Sequence, residues 1–508
     1  MAEHSQKLQD DADVIVIGSG FGGSVVASRL VEAGMSILLL ERGPWRDTVP
    51  VREAGVRDTR PLPRSGGMMG VLRSLHPPVG PKRGIRLNKS GFLDLWIGQG
   101  VKAVCTSGVG GGSHIWAAML EWPGKGFWNE RADGLDDDVL ASHYDRVARE
   151  LKGTQPPDAA SVPNHTDHAW EGEDYFTPLG AGEQPPMAIL YPEKEGALEP
   201  QTDEHGIVRM PMDFHKDHGM FGSPDGSKST VDALYLLPAM KKGLVIRTMH
   251  EVREIVRQPD NSYRLLVRDL EKQQDLILSA PTVVLAAGTM NTNYLLLHSR
   301  QAGGLGELPG LGKGFGANGD LIGSWPVPED GSRDAASGPP VHGRVKIKGH
   351  EDSSYVILAA GETPPVPGFM YARARAKAGQ AFDVVAMSQD AADGHIRMDK
   401  GRMKFSFSMS GSPSYAATIR AFEALASLSG CPLRFDGRNV FTAHPLGGCR
   451  ISDDTTAGVV NGAGRVHGHP GLHIADASVF PQPVGVPPSL SIAAWASHVA
   501  SCMIRDGR

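Results

Sequence analysis

At roughly 150 residues per domain, a chain of 508 residues suggests about three units, or two larger ones. Hydrophobic residues make up 40% and charged residues 21%, a balance that belongs to a folded protein and excludes a disordered one. The formal net charge of -6 argues against a nucleic-acid binder, and the 63 glycines lie in short clusters without a repeat, which excludes a collagen-like chain and points to tight turns or a phosphate-bearing ligand.

In chain order, the β-branched run Val14–Ile17 ends abruptly at Gly18 and predicts a strand. Residues 24–32 predict a helix stopped at Ala33-Gly34, and residues 36–40 a second strand ending in Glu41. Together these read as a β-α-β unit with parallel strands. From Gly43 to Gly100 proline and glycine recur, and residues 82–89 are basic, which predicts a long connection across a surface. Glycines cluster again at 108–112, ahead of the apolar segment 115–120. Residues 137–152 place Leu140, Tyr144, Val147 and Leu151 on one helical face. Polar, Pro-rich sequence then runs to about Gly206. Strands are predicted at 244–246, 252–256, 263–267 and 282–286, the last leading through Ala287-Gly288-Thr289 into a helix ending near Leu297. Residues 303–316 are turn-rich and 329–340 charged and loose. Strands at 345–347, 355–359 and 403–407 make the later region β-rich, and 414–428 reads as a helix.

Cys105, Cys431, Cys449 and Cys502 are scattered and lack C-x-x-C spacing, so a reducing compartment is the simpler reading. The polar, acidic start of the chain has no apolar core of a secretory signal, and no stretch approaches the roughly 20 apolar residues of a membrane span. The expected location is the cytoplasm, without integral membrane contact.

Gly18-Ser19-Gly20-Phe21-Gly22-Gly23 fits G-x-G-x-x-G between a strand and a helix. The first glycine permits the tight turn, the second lets a pyrophosphate approach the backbone, and the third lets helix and strand pack closely. The helix N-terminus then offers unpaired N–H groups to phosphate. Glu41 ends the second strand 23 residues after Gly18, near the spacing of a carboxylate that meets the adenosine ribose. The alternative is a glycine-rich turn in an ordinary β-α-β unit. Glu41 disfavours the 2′-phosphate of NADP but does not separate NAD from FAD. A second cluster, Gly108-Val109-Gly110-Gly111-Gly112-Ser113, lies between apolar stretches and suits a buried backbone beside a flat ligand; a bare flexible loop is its alternative. The segment 282–288 stops at a small-residue turn, consistent with another cofactor contact. Near the C-terminus stand His444-Pro445-Leu446-Gly447-Gly448-Cys449, then Leu472-His473-Ile474-Ala475-Asp476-Ala477-Ser478, then Val484-Gly485-Val486-Pro487-Pro488-Ser489-Leu490.

In this order of motifs the chain resembles the glucose–methanol–choline family of FAD-dependent alcohol oxidoreductases, and within it the cholesterol-oxidase branch. The resemblance implies an α/β (α+β overall) fold. A Rossmann-like FAD-binding domain, discontinuous in sequence, would come from residues 1–122, 206–302 and 433–508; a β-sheet-plus-helices substrate domain would come from 123–205 and 303–432. It further implies that a hydroxyl proton is removed while the carbinol hydride passes to flavin N5. His444 aligns with the family's active-site histidine, and an imidazole can accept or relay a proton near neutrality. Gly112, Trp116, Ala117 and Met119 would lie along the isoalloxazine, with Gly108 and Ser113 in the same loop. The backbone of Val252 would meet the adenine, and Gly288, Asp476, Ala477 and Ser489 would meet the rest of the cofactor. Asp476 also suits a helix N-cap.

The departures from the family pattern are specific. Pro487 stands where the branch carries an Asn, and it has neither a side-chain donor nor an N–H, so the catalytic pair lacks its second polar member. Trp116 replaces a common Asn. His114 sits one place before the position of a flavin-linked histidine, so non-covalent FAD is expected. His467, His469 and His473 read as structural, and no metal is expected. Glu362 is the nearest candidate for an isomerising glutamate, without support enough for that activity. The expected function is FAD-dependent oxidation of a bulky, partly apolar alcohol, steroid-like or polycyclic, with oxygen, a quinone or a redox protein as electron acceptor. A sugar or polyol oxidoreductase is the alternative within the family, and a flavin-binding module without turnover is the alternative outside enzymes.

Overall fold

The computed structural model describes residues 12–62, 70–155, 182–183, 185–194, 196–215, 222–326, 335–347, 354–359, 361, 366 and 370–507. Glu362, the loose stretch as far as residue 334, most of the Pro-rich stretch before Gly206 and nearly all of the polar N-terminus lie outside them.

Five short apolar strands form a wholly parallel sheet: β1 (Val14–Ile17), β2 (Ile37–Leu40), β3 (Val245–Arg247), β4 (Thr282–Leu285) and β5 (Leu472–Ile474). Their spatial order is β3-β2-β1-β4-β5, so the order reverses between β1 and β4. Three of these strands are buried along their whole length and β4 is buried except at Thr282, as befits a parallel sheet covered on both faces. The register pairs Ile17 with Leu40 and Leu285, and Leu285 with Ile474. The C-terminal ends of four strands therefore meet at one edge, which places a crevice at the switch point.

Helix α1 (Phe21–Glu32) begins three residues earlier than the sequence suggests, because Gly22 and Gly23 are already in helical conformation. It packs on the C-terminal helix α3 (Ser489–Asp506), a largely buried helix whose Trp495 stacks on Trp128. Helix α2 (Thr289–Gln301) follows β4 after Gly288, whose φ of 78° and absence of a side chain suit the abrupt turn.

The region 43–100 departs most from expectation. It contains the strands Leu72–His76, Ile85–Arg86 and Leu93–Ile97, which join Val101–Thr106 and Val440–Thr442 in a five-stranded sheet. These strands are short and interrupted by Pro and Gly, so their periodicity is too brief to read; Leu93–Ile97 pairs with Val101–Thr106, Leu72–His76 with Leu93–Ile97, and Ile85–Arg86 with Leu72–His76. The later region holds a six-stranded, largely antiparallel sheet built on Leu321–Pro326, Val341–Lys346, Ser354–Ala359 and Ala381–Ser388. The helix Pro413–Ser429 covers it through Phe422 and Leu425, which pack on Leu321, Trp325, Phe382 and Val384.

Candidate active site

A cavity of about 350 Å³ opens at the switch point of the parallel sheet. Its floor is the glycine turn after β1. Gly18 has φ 98°, and a Cβ there would lie 2.4 Å from the carbonyl oxygen of Ala286. A Cβ on Gly22 would lie 1.7 Å from the Ala475 oxygen, and one on Gly23 1.9 Å from the Gly18 oxygen. These three glycines are demanded by neighbouring backbone. Gly20 differs: nothing lies within 4 Å of a Cβ built there, although Gly20 lines the cavity. It is the N-cap of α1 and supplies no side-chain acceptor, so the first amides of the helix remain for an anion. An open cradle at Gly20, a bare helix N-terminus and a slot between strand ends fit the pyrophosphate of a dinucleotide.

Among the residues singled out from sequence, Gly18, Gly20, Phe21, Gly22, Glu41, Val252, Gly288, Asp476, Ala477 and Ser489 all line this cavity. So do Gly112, Trp116, Ala117, Met119 and His444. Three stand behind the wall. Gly23 supports the turn, and Gly108 donates its N–H to Glu41 at 3.1 Å. Ser113 donates to the Gly110 oxygen at 2.8 Å and accepts from Val231 N at 3.1 Å, so it holds the loop in shape.

The side chain of Glu41 ties the two glycine loops together. One oxygen accepts from Ser19 Oγ (2.7 Å) and Ser19 N (3.2 Å), the other from Gly43 N (2.8 Å) and Gly108 N. A ribose hydroxyl would compete with Ser19, whose Oγ also lies 3.4 Å from the Gly108 oxygen. Asp476 is likewise held, accepting from Gly288 N (2.9 Å), Thr292 Oγ1 (2.5 Å) and both N and Oγ of Ser478 (3.0 and 2.6 Å). It caps the short turn Ala477–Val479 and binds β5 to the start of α2. Burial pushes its carboxyl pKa up, against those hydrogen bonds.

Trp116 is buried, donates Nε1 to the Ser229 oxygen at 3.0 Å and meets Phe21 edge-on at 4.9 Å, so it forms a fixed wall. His114 lies fully buried behind the loop, its Nε2 2.8 Å from the Val109 oxygen, and does not line the cavity. His467 and His469 bond to Ser452 O and His467 O, at 2.7 and 2.8 Å. Among the described residues no three His, Cys, Asp or Glu side chains gather as a metal set, and no helix is long and apolar enough to cross a membrane.

His444 follows the strand Val440–Thr442. Its N–H donates to Thr442 Oγ1 at 2.8 Å, and its Nδ1 lies 2.9 and 3.0 Å from the two carboxylate oxygens of Asp320. Asp320 is fully buried. The sequence reading missed it: an Asn-Gly turn ahead of the strand Leu321–Pro326 resembles any other hairpin lead-in, and its neighbour lies 124 residues away. Asn318, in the same turn, donates Nδ2 to Val486 O at 3.0 Å and accepts from Gly485 N at 2.9 Å. It thereby fixes the loop that carries Pro487.

The region 43–100 brings a second missed group. Arg73, Ser74, His76 and Trp96, with Arg42 just ahead of that region, line the cavity. Asp94, fully buried, pairs with Arg42 and Arg73. His76 stacks on Trp96 with ring centroids 3.6 Å apart, and burial pushes its pKa down to about 4, leaving it neutral near pH 7. By contrast, the residues given to the cavity by the six-stranded sheet, Ile357, Val385 and Met387, are all apolar.

Two sequence models of the GMC oxidoreductase family match, over residues 202–317 and 408–496. The chain is similar to a cholesterol oxidase of Mycobacterium tuberculosis, at 26% identity over 98% of this chain and 92% of that protein. It is also similar to a cholesterol oxidase of Acinetobacter baumannii, at 24% identity over 97% and 94% of the two chains. Among solved structures, pyridoxine 4-oxidase from Mesorbium loti superposes with a TM-score of 0.63 at 18% identity, covering 97% of this chain and 99% of that one.

Proposed function

We propose, from the premise that this chain belongs to the GMC oxidoreductase family, that it oxidises a bulky, largely apolar alcohol to a carbonyl compound, with His444 as the proton acceptor. The observation that carries the reading is the cavity itself: a dinucleotide cradle at Gly20 and an imidazole at His444 line one space. Non-covalent FAD would be held at Gly18–Gly22, Gly111–Gly112 and the 476–477 turn, and would supply the two-electron acceptor for the carbinol hydride. The protein's own part is positional and acid–base. The His444 imidazole, with Nδ1 held by Asp320, has Nε2 left to take the hydroxyl proton. The O–H bond electrons then form the carbonyl π bond as the C–H electron pair departs.

The substrate class follows from where charge sits. The arginines lining the cavity come from residues 42–86 and 253, beside Glu41 and Glu251. Ile115, Trp116, Met119, Ile357, Val385, Met387 and Pro487 offer a sugar's hydroxyls almost no partner, which favours a steroid-like or polycyclic alcohol over a sugar or polyol. The first two cholesterol oxidases above support the same class. The electron acceptor is oxygen, a quinone or a redox protein, and peroxide yield on turnover in air separates the first from the others.

The test is anaerobic mixing of the yellow holoenzyme with an alcohol panel. Sterols and long-chain alcohols should bleach the flavin and sugars should not. Bleaching by sugars alone would replace the substrate class. Protein that stays colourless after reconstitution with FAD would overturn the reading, and intact flavin untouched by every alcohol would favour the binding module.

A further inference from the structure

We infer that Asp320 is the positioning residue of this site: it fixes the tautomer of His444 and supplies the second polar member that Pro487 lacks. This rests on the reading of His444 as proton acceptor.

The geometry is specific. Both oxygens of Asp320 lie at hydrogen-bond distance from one ring nitrogen, Nδ1 of His444. An ionised carboxylate only accepts, so Nδ1 must carry the hydrogen and Nε2 must bear the lone pair. Nε2 is then the one ring nitrogen able to take a proton from a ligand in the cavity that His444 lines. Among the described residues, Asp320 has no lysine or arginine partner; its ion-pair contact is the imidazole. Its other partners are neutral donors, Thr442 Oγ1 at 2.7 Å and Ala443 N at 3.1 Å. A buried charge without a counter-ion is costly, and protonation of His444 relieves that cost at the moment a hydroxyl proton arrives.

The surroundings hold Asp320 rigidly. Asp390 accepts from Ala317 N and Gly319 N, at 2.9 and 2.8 Å, and so braces the turn that carries Asp320. Thr442 Oγ1 lies 3.1 Å from the Ala317 oxygen and receives the His444 N–H, which joins the turn to the histidine segment. The titratable groups that face the pair are Asp390, whose pKa burial raises to about 6, and Tyr415, whose hydroxyl is buried and pushed well above its ordinary value. The same turn clamps the 485–486 backbone through Asn318. One four-residue turn, 317–320, thus sets both the histidine and the loop in which relatives of this branch place a polar side chain.

The experiment compares the FAD-loaded enzyme with Asp320→Asn, Asp320→Glu and His444→Ala. In Asp320→Asn the amide can keep accepting from Ala443 N while its NH₂ faces Nδ1, which reverses the tautomer. Anaerobic flavin reduction by the preferred alcohol should slow about 10²–10⁴-fold, with apparent substrate affinity and FAD content retained. The pH profile of reduction should lose its imidazole limb, and Asp320→Glu should recover part of the rate. Asp320→Asn with the native rate and pH profile overturns the inference. His444→Ala with the native rate overturns the underlying reading instead, so the two failures are separable. Should Asp320→Asn fold poorly, ¹⁵N-histidine NMR of the native holoenzyme decides: Nδ1 protonated with Nε2 bare supports the inference, and the reverse overturns it.

Discussion

His444 shows how much of a residue's chemistry lies in its neighbours. Removing it with His444→Ala should slow flavin reduction about 10²–10⁴-fold, measured by stopped-flow bleaching, because it is the cavity imidazole proposed as proton acceptor. Asp390 lends itself to a pH test. Burial raises its pKa to about 6 from 3.8, so the folded protein holds that proton more tightly than the unfolded chain does. Unfolding free energy therefore falls as pH rises from about 4 to 6, by about 3 kcal/mol from this group. Asp390→Asn should lack that component. Denaturation midpoints at pH 4.5 and 7 should show wild type gaining on the variant at the lower pH, whatever the hydrogen bonds lost in both conditions.

Among elements, the turn between β1 and α1 separates two kinds of glycine. Gly22→Ala drives a methyl into the Ala475 carbonyl, and neither backbone can yield without moving β5. It should destabilise by about 1–3 kcal/mol or more, seen as a lowered Tm even with FAD bound. Gly20→Ala meets no protein atom, and Gly20 has an ordinary φ of −71°. It should fold with an unchanged apoprotein Tm yet bind FAD at least about tenfold more weakly, read by flavin fluorescence on titration. The G-x-G-x-x-G pattern was legible because its residues stand at short, fixed spacing, although Gly18 and Gly22 answer to the remote carbonyls of Ala286 and Ala475. The strands of 72–97 were not, since they are short and broken by Pro and Gly and are stabilised by pairing with one another and with Val101–Thr106. Ala381–Ser388, central in its sheet and buried on both faces over its second half, likewise lacks the alternation that marks a half-exposed strand.

Across the molecule, the parallel sheet collects strands from residues 14–40, 245–285 and 472–474, so no contiguous stretch carries the site. A chain ending at residue 471 would lose β5, the Ala475 contact to Gly22 and α3 with Trp495 and its stacking on Trp128. It should accumulate as insoluble protein without flavin, measured by soluble yield and absorbance. The amino-acid sequence by itself determined the nucleotide turn, the acidic end of β2, the His444 segment and the resemblance to the GMC oxidoreductases, because each rests on residue types at short, fixed spacing. Only the tertiary structure decided that Asp320 stands behind His444, that Glu41 binds two glycine loops together, and that five arginines and the apolar side chains Ile357, Val385 and Met387 line the same cavity. Those facts are distances between residues far apart in the chain, and no local spacing encodes which remote side chain will share a buried proton.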